Sequence, residues 1–226
     1  MKLLAIDTSS NACSVALQVA DDVLDKHVVE PRAHTRILMP MITELLAEGG
    51  VSLQQLDAIV LGNGPGSFIG MRIGASVAQG LCHGADLPIV PVSSLLAIAV
   101  EAFADSSHDH LVVAQDARMN EVYLGSFKRG EDGLPEVAAG ECIAAVAELP
   151  TPFATYAAAG AAWERYADLV AANSRQIDAQ LSITVPRASN LLGPARIDID
   201  AGRAIAPETL TPAYLRNKVA EKPAPR

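Results

Sequence analysis

The segment 3–17, LLAIDTSSNACSVAL, returns in altered form at 112–125 as VVAQDARMNEVYLG. Each copy is an apolar run that closes on an aspartate, followed by a polar turn and an alternating segment. This is the pattern of a buried strand, a turn and a paired strand. An internal repeat of this kind predicts two related subdomains. We place their boundary near residue 105, which divides the chain into an N-terminal subdomain, 1–104, and a smaller, degenerate C-terminal one, 105–226.

The rest of the chain predicts alternating strands and helices, and therefore an α/β fold. The segment 35–48 has helical spacing, with Thr35 as its predicted N-cap and Gly49-Gly50 as its stop. Alanine-rich stretches at 138–147 and 157–172 favour helices, whereas 183–200 reads as irregular. For the first half we predict strands at 3–7, 13–19, 23–30, 58–62 and 88–92, and helices at 35–48, 69–83 and 93–104.

The composition excludes several classes of protein. The net charge of −9 disfavours contact with a nucleic-acid backbone, so any role with RNA is expected to be indirect. Three scattered cysteines without a CxxC motif fit a reducing compartment, and we expect a cytoplasmic protein. The chain has no run of about 18 apolar residues, so we predict no membrane span. The last eleven residues form a basic tail with Arg216, Lys218, Lys222 and Arg226.

The turn after the first strand is the first candidate site. An aspartate at the end of a buried strand, followed by hydroxyl groups, can face a phosphate group or its hydrated cation. The same residues also suit a hairpin turn with Asx and Ser turn hydrogen bonds. The candidate phosphate-binding residues here are Asp7, Thr8 and Ser9.

The glycine-rich segment 62–74, GNGPGSFIGMRIG, is the second candidate site. It lies between a predicted strand and helix, where loop amides and a helix N-terminus can hold an anion. It is not a Walker loop, because no Lys-Ser/Thr pair follows its last glycine. Close packing explains it equally well, since Gly70, Gly74 and Ala78 recur every four residues. The candidate phosphate-binding residues in this loop are Gly64, Gly66 and Ser67.

The helix predicted at 35–48 carries more apolar surface than one sheet can cover. Its apolar positions span an arc of roughly 200°, whereas a helix packed on a single sheet needs about 100°. The surplus is buried either by another part of the chain or by a partner protein.

The usual catalytic and metal-binding motifs are missing from the sequence. The five histidines form neither HExxH nor HxxxH, and no GxSxG occurs. His108 and His110 lie in a polar stretch that reads as a loop rather than a metal site. We therefore predict no metal site and no catalytic residues.

The segment 62–74 resembles the TsaB (YeaZ) family, whose usual string is close to GPGSFTGLRIG. Ile69 and Met71 replace two of its residues. The resemblance covers most of the first half and parts of the second. It extends to LLAIDTSS at 3–10, CSVAL at 13–17, HTRILMPMITELL at 34–46, PVSSLLAIA at 91–99, DARMNEVYLGSF at 116–127 and TPAYLR at 211–216.

This resemblance implies the sugar kinase/Hsp70/actin-like (ASKHA) fold and an accessory, non-catalytic role. The implied partners are TsaD, the catalytic paralogue that transfers threonylcarbamoyl to the adenosine beside the tRNA anticodon, and TsaE, with a homodimer when TsaD is absent. Ser94 and Ile98 stand where TsaD has the two histidines of a metal-binding HxxxH. ATP or ADP with Mg²⁺ is the implied ligand of the complex. The alternative is a nucleotide-binding ATPase or phosphotransferase of the same superfamily.

The resemblance also places the partner interface on the two helices 35–48 and 69–83. The change Gly74→Leu is then expected to abolish the complex with TsaD and to leave the fold intact. The expected contact residues are Leu38, Met39, Ile42, Leu46, Met71, Gly74 and Ala78.

Overall fold

The computed structural model describes residues 1–216, so the predicted basic tail lies outside the described residues except for Arg216. The first half holds five strands and three helices, close to the predicted positions. The strands are β1 Lys2–Asp7, β2 Ala12–Val19, β3 Asp22–Val29, β4 Ala58–Gly62 and β5 Ile89–Val92. The helices are α1 His34–Glu48, α2 Phe68–Ala85 and α3 Ser94–Ala104.

The described part of the second half, up to residue 216, holds five more strands and three shorter helices. The strands are β6 His110–Arg118, β7 Glu121–Arg129, β8 Pro135–Ala145, β9 Tyr156–Ala159 and β10 Ile177–Gln180. The helices are α4 Ala162–Arg165, α5 Ala167–Asn173 and α6 Leu192–Asp200. Single 3₁₀ turns occur at Leu53–Gln55, Ala188–Leu191 and Pro207–Thr209.

The two sheets have the same topology, which confirms the internal repeat. Their strand orders are β3-β2-β1-β4-β5 and β8-β7-β6-β9-β10. In each sheet the first three strands along the chain are antiparallel, and the last two run parallel to the first. The strand β6 thus takes the place of β1, and its Asp116 is the counterpart of Asp7.

Each half contributes helical residues that pack against the sheet of the other half. Leu95 and Ile98 of α3 share a core cluster with Leu111 of the second sheet. In return, the 3₁₀ turn Ala188–Leu191 and α6 share a core cluster with residues of the first sheet. The outer faces of the sheets carry α1 and α2 on one side and α4 and α5 on the other. The boundary at residue 105 therefore divides the strands between the sheets but cuts through the packing of the helices.

Four predictions of secondary structure were wrong in whole or in part. The stretch 138–147 lies mostly in β8, because pairing with β7 overrides the helix propensity of alanine. The stretch 157–172 begins with β9 before α4 and α5, and the irregular 183–200 contains α6. The predicted N-cap Thr35 lies inside α1, whose N-cap residue is Ala33. No helix in the described part of the chain is long and apolar enough to cross a membrane.

Candidate functional site

The candidate site lies at one edge of the first sheet. The strands β1, β4 and β5 run parallel, so their carboxyl ends meet at the same edge. The turn after Asp7, the glycine-rich loop after Gly62 and the N-terminus of α3 therefore come together there. Sequence reasoning named the first two of these segments as separate candidate sites.

Asp7 is buried, and both of its carboxylate oxygens accept hydrogen bonds from the chain. Its Oδ1 accepts hydrogen bonds from the amide and the hydroxyl of Ser9, both at 2.8 Å. Its Oδ2 accepts a hydrogen bond of 2.7 Å from the Ser94 hydroxyl. The same Ser94 oxygen accepts the Gly64 amide at 3.1 Å. Ser94 therefore ties the end of β1, the glycine-rich loop and α3 together.

Burial raises the pKa of Asp7 from 3.8 to about 6, although the hydrogen bonds from Ser94 and Ser9 act in the opposite direction. Because the folded state holds its proton more tightly than the unfolded state, the carboxyl group weakens the fold once it ionises. The free energy of unfolding therefore falls as pH rises through the window from 4 to 6.

We expect Asp7→Asn to remove this pH dependence. Between pH 4 and pH 7 the stability of wild type should fall, relative to the variant, by about 2 kcal/mol, since one pKa unit corresponds to about 1.4 kcal/mol and part of the effect is already present at pH 4. Urea unfolding of both proteins at four pH values measures the difference. Parallel pH profiles would show that Asp7 ionises in the folded state as it does in the unfolded state.

Thr8 and the glycines of α2 form a close-packed contact. The Thr8 hydroxyl donates to the carbonyl oxygen of Gly70 at 2.7 Å. A Cβ at Gly70 would collide with the Thr8 carbonyl group, and one at Gly74 would lie 2.5 Å from its Oγ1. The packing explanation of the glycine pattern therefore applies to both positions, and the close neighbour is the turn after β1.

The amides of Gly64, Ser67 and Gly70 in the glycine-rich loop donate to groups of the chain itself. The Ser67 amide donates to the Ser9 carbonyl at 2.6 Å, and the Gly70 amide donates to the Ser67 hydroxyl at 3.2 Å. Ser67 thus caps α2. The Gly64 amide is bonded to Ser94, so the amides of Gly64, Ser67 and Gly70 are not free to bind a phosphate group. The geometry at Asp7, Thr8 and Gly64 does not fit a phosphate group with its cation.

The second half repeats this arrangement at Asp116. Its Oδ1 accepts a hydrogen bond from the Tyr166 hydroxyl at 2.7 Å. Its Oδ2 pairs with the guanidinium groups of Arg118 and Arg165, each at 3.2 Å. Sequence reasoning did not select Asp116, although the repeat of LLAID as VVAQD was the signal for it.

A cleft of about 400 Å³ separates the two halves. Ser9, Gly66 and Ser67 line it, whereas Asp7, Thr8 and Gly64 do not. Its wall in the second half includes the strained β6–β7 turn, in which Arg118, Met119 and Asn120 all have positive φ. Its other lining residues include Phe68, Ile98, Tyr123, Val185 and Tyr214.

Five of the seven predicted interface residues are core residues of the chain itself, which corrects the prediction. They are buried because the apolar arc of α1 and the small face of α2 both pack on the first sheet. Of the seven, only Met39, which is 43% exposed, and the half-buried Leu46 reach the surface. The buried ones are Leu38, Ile42, Met71, Gly74 and Ala78.

Sequence reasoning also missed His34, which anchors α1 to the site. Its Nε2 lies 3.1 Å from both the Ser10 and the Ala12 carbonyl oxygens, so the proton is on this nitrogen. Within residues 1–216 no group of three histidine, cysteine or acidic side chains could hold a metal ion. His110 begins β6 and stacks on Phe153, with 4.3 Å between the ring centroids.

Known proteins resemble the chain over its whole length. The family model described as TsaD, tRNA N6-adenosine threonylcarbamoyltransferase, matches residues 28–201. Two curated relatives are described as tRNA threonylcarbamoyladenosine biosynthesis protein TsaB. The one from Haemophilus influenzae is 37% identical, over 100% of this chain and 98% of its own. The one from Escherichia coli is 36% identical, over 100% and 99%.

Two solved structures from Pseudomonas aeruginosa have the same fold. One, described as an uncharacterized protein with similarity to peptidase YEAZ, has a TM-score of 0.88 and 35% identity over 95% of this chain and 99% of that one. The other, described as YeaZ, has a TM-score of 0.85 and 34% identity over 95% and 100%. Together with the duplicated sheets, these matches show that the chain has the actin-like ASKHA fold and belongs to the TsaB (YeaZ) family.

Proposed function

We propose that this chain is an accessory, non-catalytic subunit in the synthesis of threonylcarbamoyladenosine in tRNA. It acts with TsaD, which transfers the threonylcarbamoyl group, and with TsaE. The chain itself acts on tRNA only through these partners. The names of its full-length relatives support the pathway. The hydrogen bonds and ion pairs that hold Asp7 and Asp116, the aspartates at the ends of β1 and β6, support the accessory role.

The single observation that carries this proposal is the occupation of both aspartates by protein groups. A catalytic actin-like protein needs a carboxylate that can reach a cation or a phosphate group. Here Asp7 is enclosed by Ser9 and Ser94, and Asp116 is held by Tyr166 and two arginines. Ser94, which stands where TsaD is expected to have a metal-binding histidine, acts as a hydrogen-bond bridge between segments.

The surface that suits a partner lies on the exposed side of α2. Ile69 is 71% exposed, and Ile73 and Val77 follow at intervals of four residues, half-buried. Gly80 and Gly84 lie three and seven residues after Val77, on the same side of the helix. A Cβ at either glycine would meet no atom within 4 Å, so a second helix can approach closely there. We call Ile69, Ile73, Val77, Gly80 and Gly84 the α2 face. It also suits a homodimer when TsaD is absent.

Reconstitution with purified components tests the proposed function. We expect the chain alone to transfer no threonylcarbamoyl, and TsaD with TsaE but without the chain to transfer little. Adding the chain should restore transfer to tRNA from the threonylcarbamoyl donor. Full transfer by TsaD and TsaE alone would overturn the proposal, as would transfer by the isolated chain.

The ATPase or phosphotransferase alternative predicts a different result. Calorimetry of the pure chain with ATP and Mg²⁺ would then show tight binding, and turnover would follow. For the proposed accessory role we expect no turnover by the chain alone. Nucleotide that binds only after TsaD is added would agree with a ligand of the complex.

A further inference from the structure

Arg72, in the second turn of α2, packs against the ring of Phe68 and is hydrogen-bonded to Tyr214. Its guanidinium carbon lies 3.6 Å from the ring centroid of Phe68 and 5.8 Å from that of Tyr214. Its Nε donates a hydrogen bond of 3.0 Å to the Tyr214 hydroxyl. The two rings contact each other at a centroid distance of 5.6 Å. The side chain therefore has one preferred position although it is exposed.

Tyr214 is itself fixed, because the segment 211–216 runs across the mouth of the cleft. Asn63 makes two hydrogen bonds to this segment, each of 3.1 Å. Its backbone carbonyl accepts from the Ala213 amide, and its side-chain amide donates to the Thr211 carbonyl. At the far end, Arg216 donates to the Ala117 carbonyl at 2.9 Å and pairs with Glu121 in the second half. The segment thus positions Arg72 from outside its own helix.

The charge of Arg72 has no acidic partner within residues 1–216. Six other arginines of the described chain form salt bridges. In Arg72 only Nε has a hydrogen-bond acceptor, so the two terminal nitrogens are available. Ile69 lies one helical turn before Arg72, and Phe68 and Ile69 are among the exposed apolar residues of the chain. A free guanidinium group therefore borders the α2 face.

We propose that Arg72, held in place by Phe68 and Tyr214, is a pre-formed carboxylate-binding anchor, and that the partner docked on the α2 face presents an aspartate or glutamate side chain to it. This inference rests on the proposed function. Two parallel N–H groups of a guanidinium match the two oxygens of a carboxylate. Holding the fork in place before binding lowers the entropy cost of the contact, and apolar neighbours keep water from it.

A protein carboxylate fits this anchor better than an RNA phosphate. The chain carries a net charge of −9, which opposes a nucleic-acid backbone. One face of Phe68 is also covered by the guanidinium group, 3.6 Å from the ring centroid, and is not free to stack on a base.

Calorimetric titration of the full chain with purified TsaD tests the anchor. We expect Arg72→Gln to weaken binding by roughly 10- to 100-fold. Tyr214→Phe keeps the ring and loses the hydroxyl acceptor, so a smaller loss, about threefold, is expected. Arg196→Gln, at an exposed arginine of α6, is the matched control and should bind like wild type. Thermal unfolding of each isolated variant separates a binding effect from lost stability.

Zero-length crosslinking gives a second readout that does not depend on affinity. In Arg72→Lys the introduced amine can form an amide with a carboxylate within contact distance when a carbodiimide is added. We expect one crosslinked peptide that joins this position to an acidic residue of TsaD.

The outcomes separate this inference from the proposed function. If wild type does not bind TsaD, the proposed function fails. If wild type binds and Arg72→Gln binds equally well, or if Arg72→Lys gives no crosslink to TsaD, only the anchor is overturned. A variant that binds TsaD normally but weakens tRNA binding by the complex would also overturn it, because the group would then face nucleic acid.

Discussion

The change Gly74→Leu is expected to destabilise this protein strongly rather than only to block a contact on its surface. Gly74 faces the turn after β1, where an added Cβ would lie 2.5 Å from Thr8 Oγ1 and 3.3 Å from the Leu61 side chain. A leucine would force α2 away from the first sheet and break the bond from Thr8 to Gly70. We expect a loss of roughly 4 kcal/mol, because overpacking and a broken buried hydrogen bond add. Domains are stable by only about 5–15 kcal/mol.

Urea unfolding of Gly74→Leu, with circular dichroism as the probe, measures this loss. Gly80→Leu is the matched control, since a Cβ at Gly80 of the same helix meets no atom within 4 Å. That variant should be as stable as wild type or more so, because leucine exceeds glycine in helix propensity by nearly 1 kcal/mol. A Gly74→Leu protein with wild-type stability would restore the original view of Gly74 as a surface contact residue.

Much of the fold could be predicted because its signals are local. The apolar run 3–7, the glycines after α1 and the repeat of a strand that ends on an aspartate each depend on a few neighbouring residues. They predicted the positions of the strands and helices in the first half, and the duplication. The strand β8 could not be predicted in this way. Its alanines and glycine carry a weak local preference, and pairing with β7 decides their conformation.

The candidate site was predicted in its parts but not in its arrangement. Asp7 and the glycine-rich loop were both selected, and the structure brings them together. Their chemistry depends on Ser94, which lies 87 residues after Asp7 and occupies its second carboxylate oxygen. Distance along the chain hides such a contact. A free aspartate and a fully bonded one have the same local sequence.

Buried residues were chosen for the interface for a related reason. Periodicity shows that α2 has a small-residue side, but it does not show which side faces the core. The glycine row that includes Gly70 and Gly74 packs on the turn after β1. The row that includes Gly80 and Gly84 faces outward. One helix therefore has glycines on two sides, one packed against the turn after β1 and the other without a neighbour within 4 Å.

From this division of the glycines we expect Gly80→Leu to abolish binding to TsaD while the isolated chain keeps its fold. The added side chain stands in the middle of the α2 face, where a partner helix must approach closely. Clashes of this kind are not relieved by small shifts in a packed contact, so we expect affinity to fall at least about a hundredfold, or about 3 kcal/mol. Gel filtration of the mixed subunits and calorimetric titration measure the loss.

Gly140→Leu serves as the control for this experiment, because Gly140 is also exposed and a Cβ there also meets no atom within 4 Å. It lies on β8, in the other half of the molecule, and should leave binding unchanged. If both variants bind like wild type while TsaD still forms the complex, the partner does not use the α2 face. If only Gly80→Leu fails to bind, the outward row of glycines exists for the partner, since an isolated helix gains nothing from keeping glycine there.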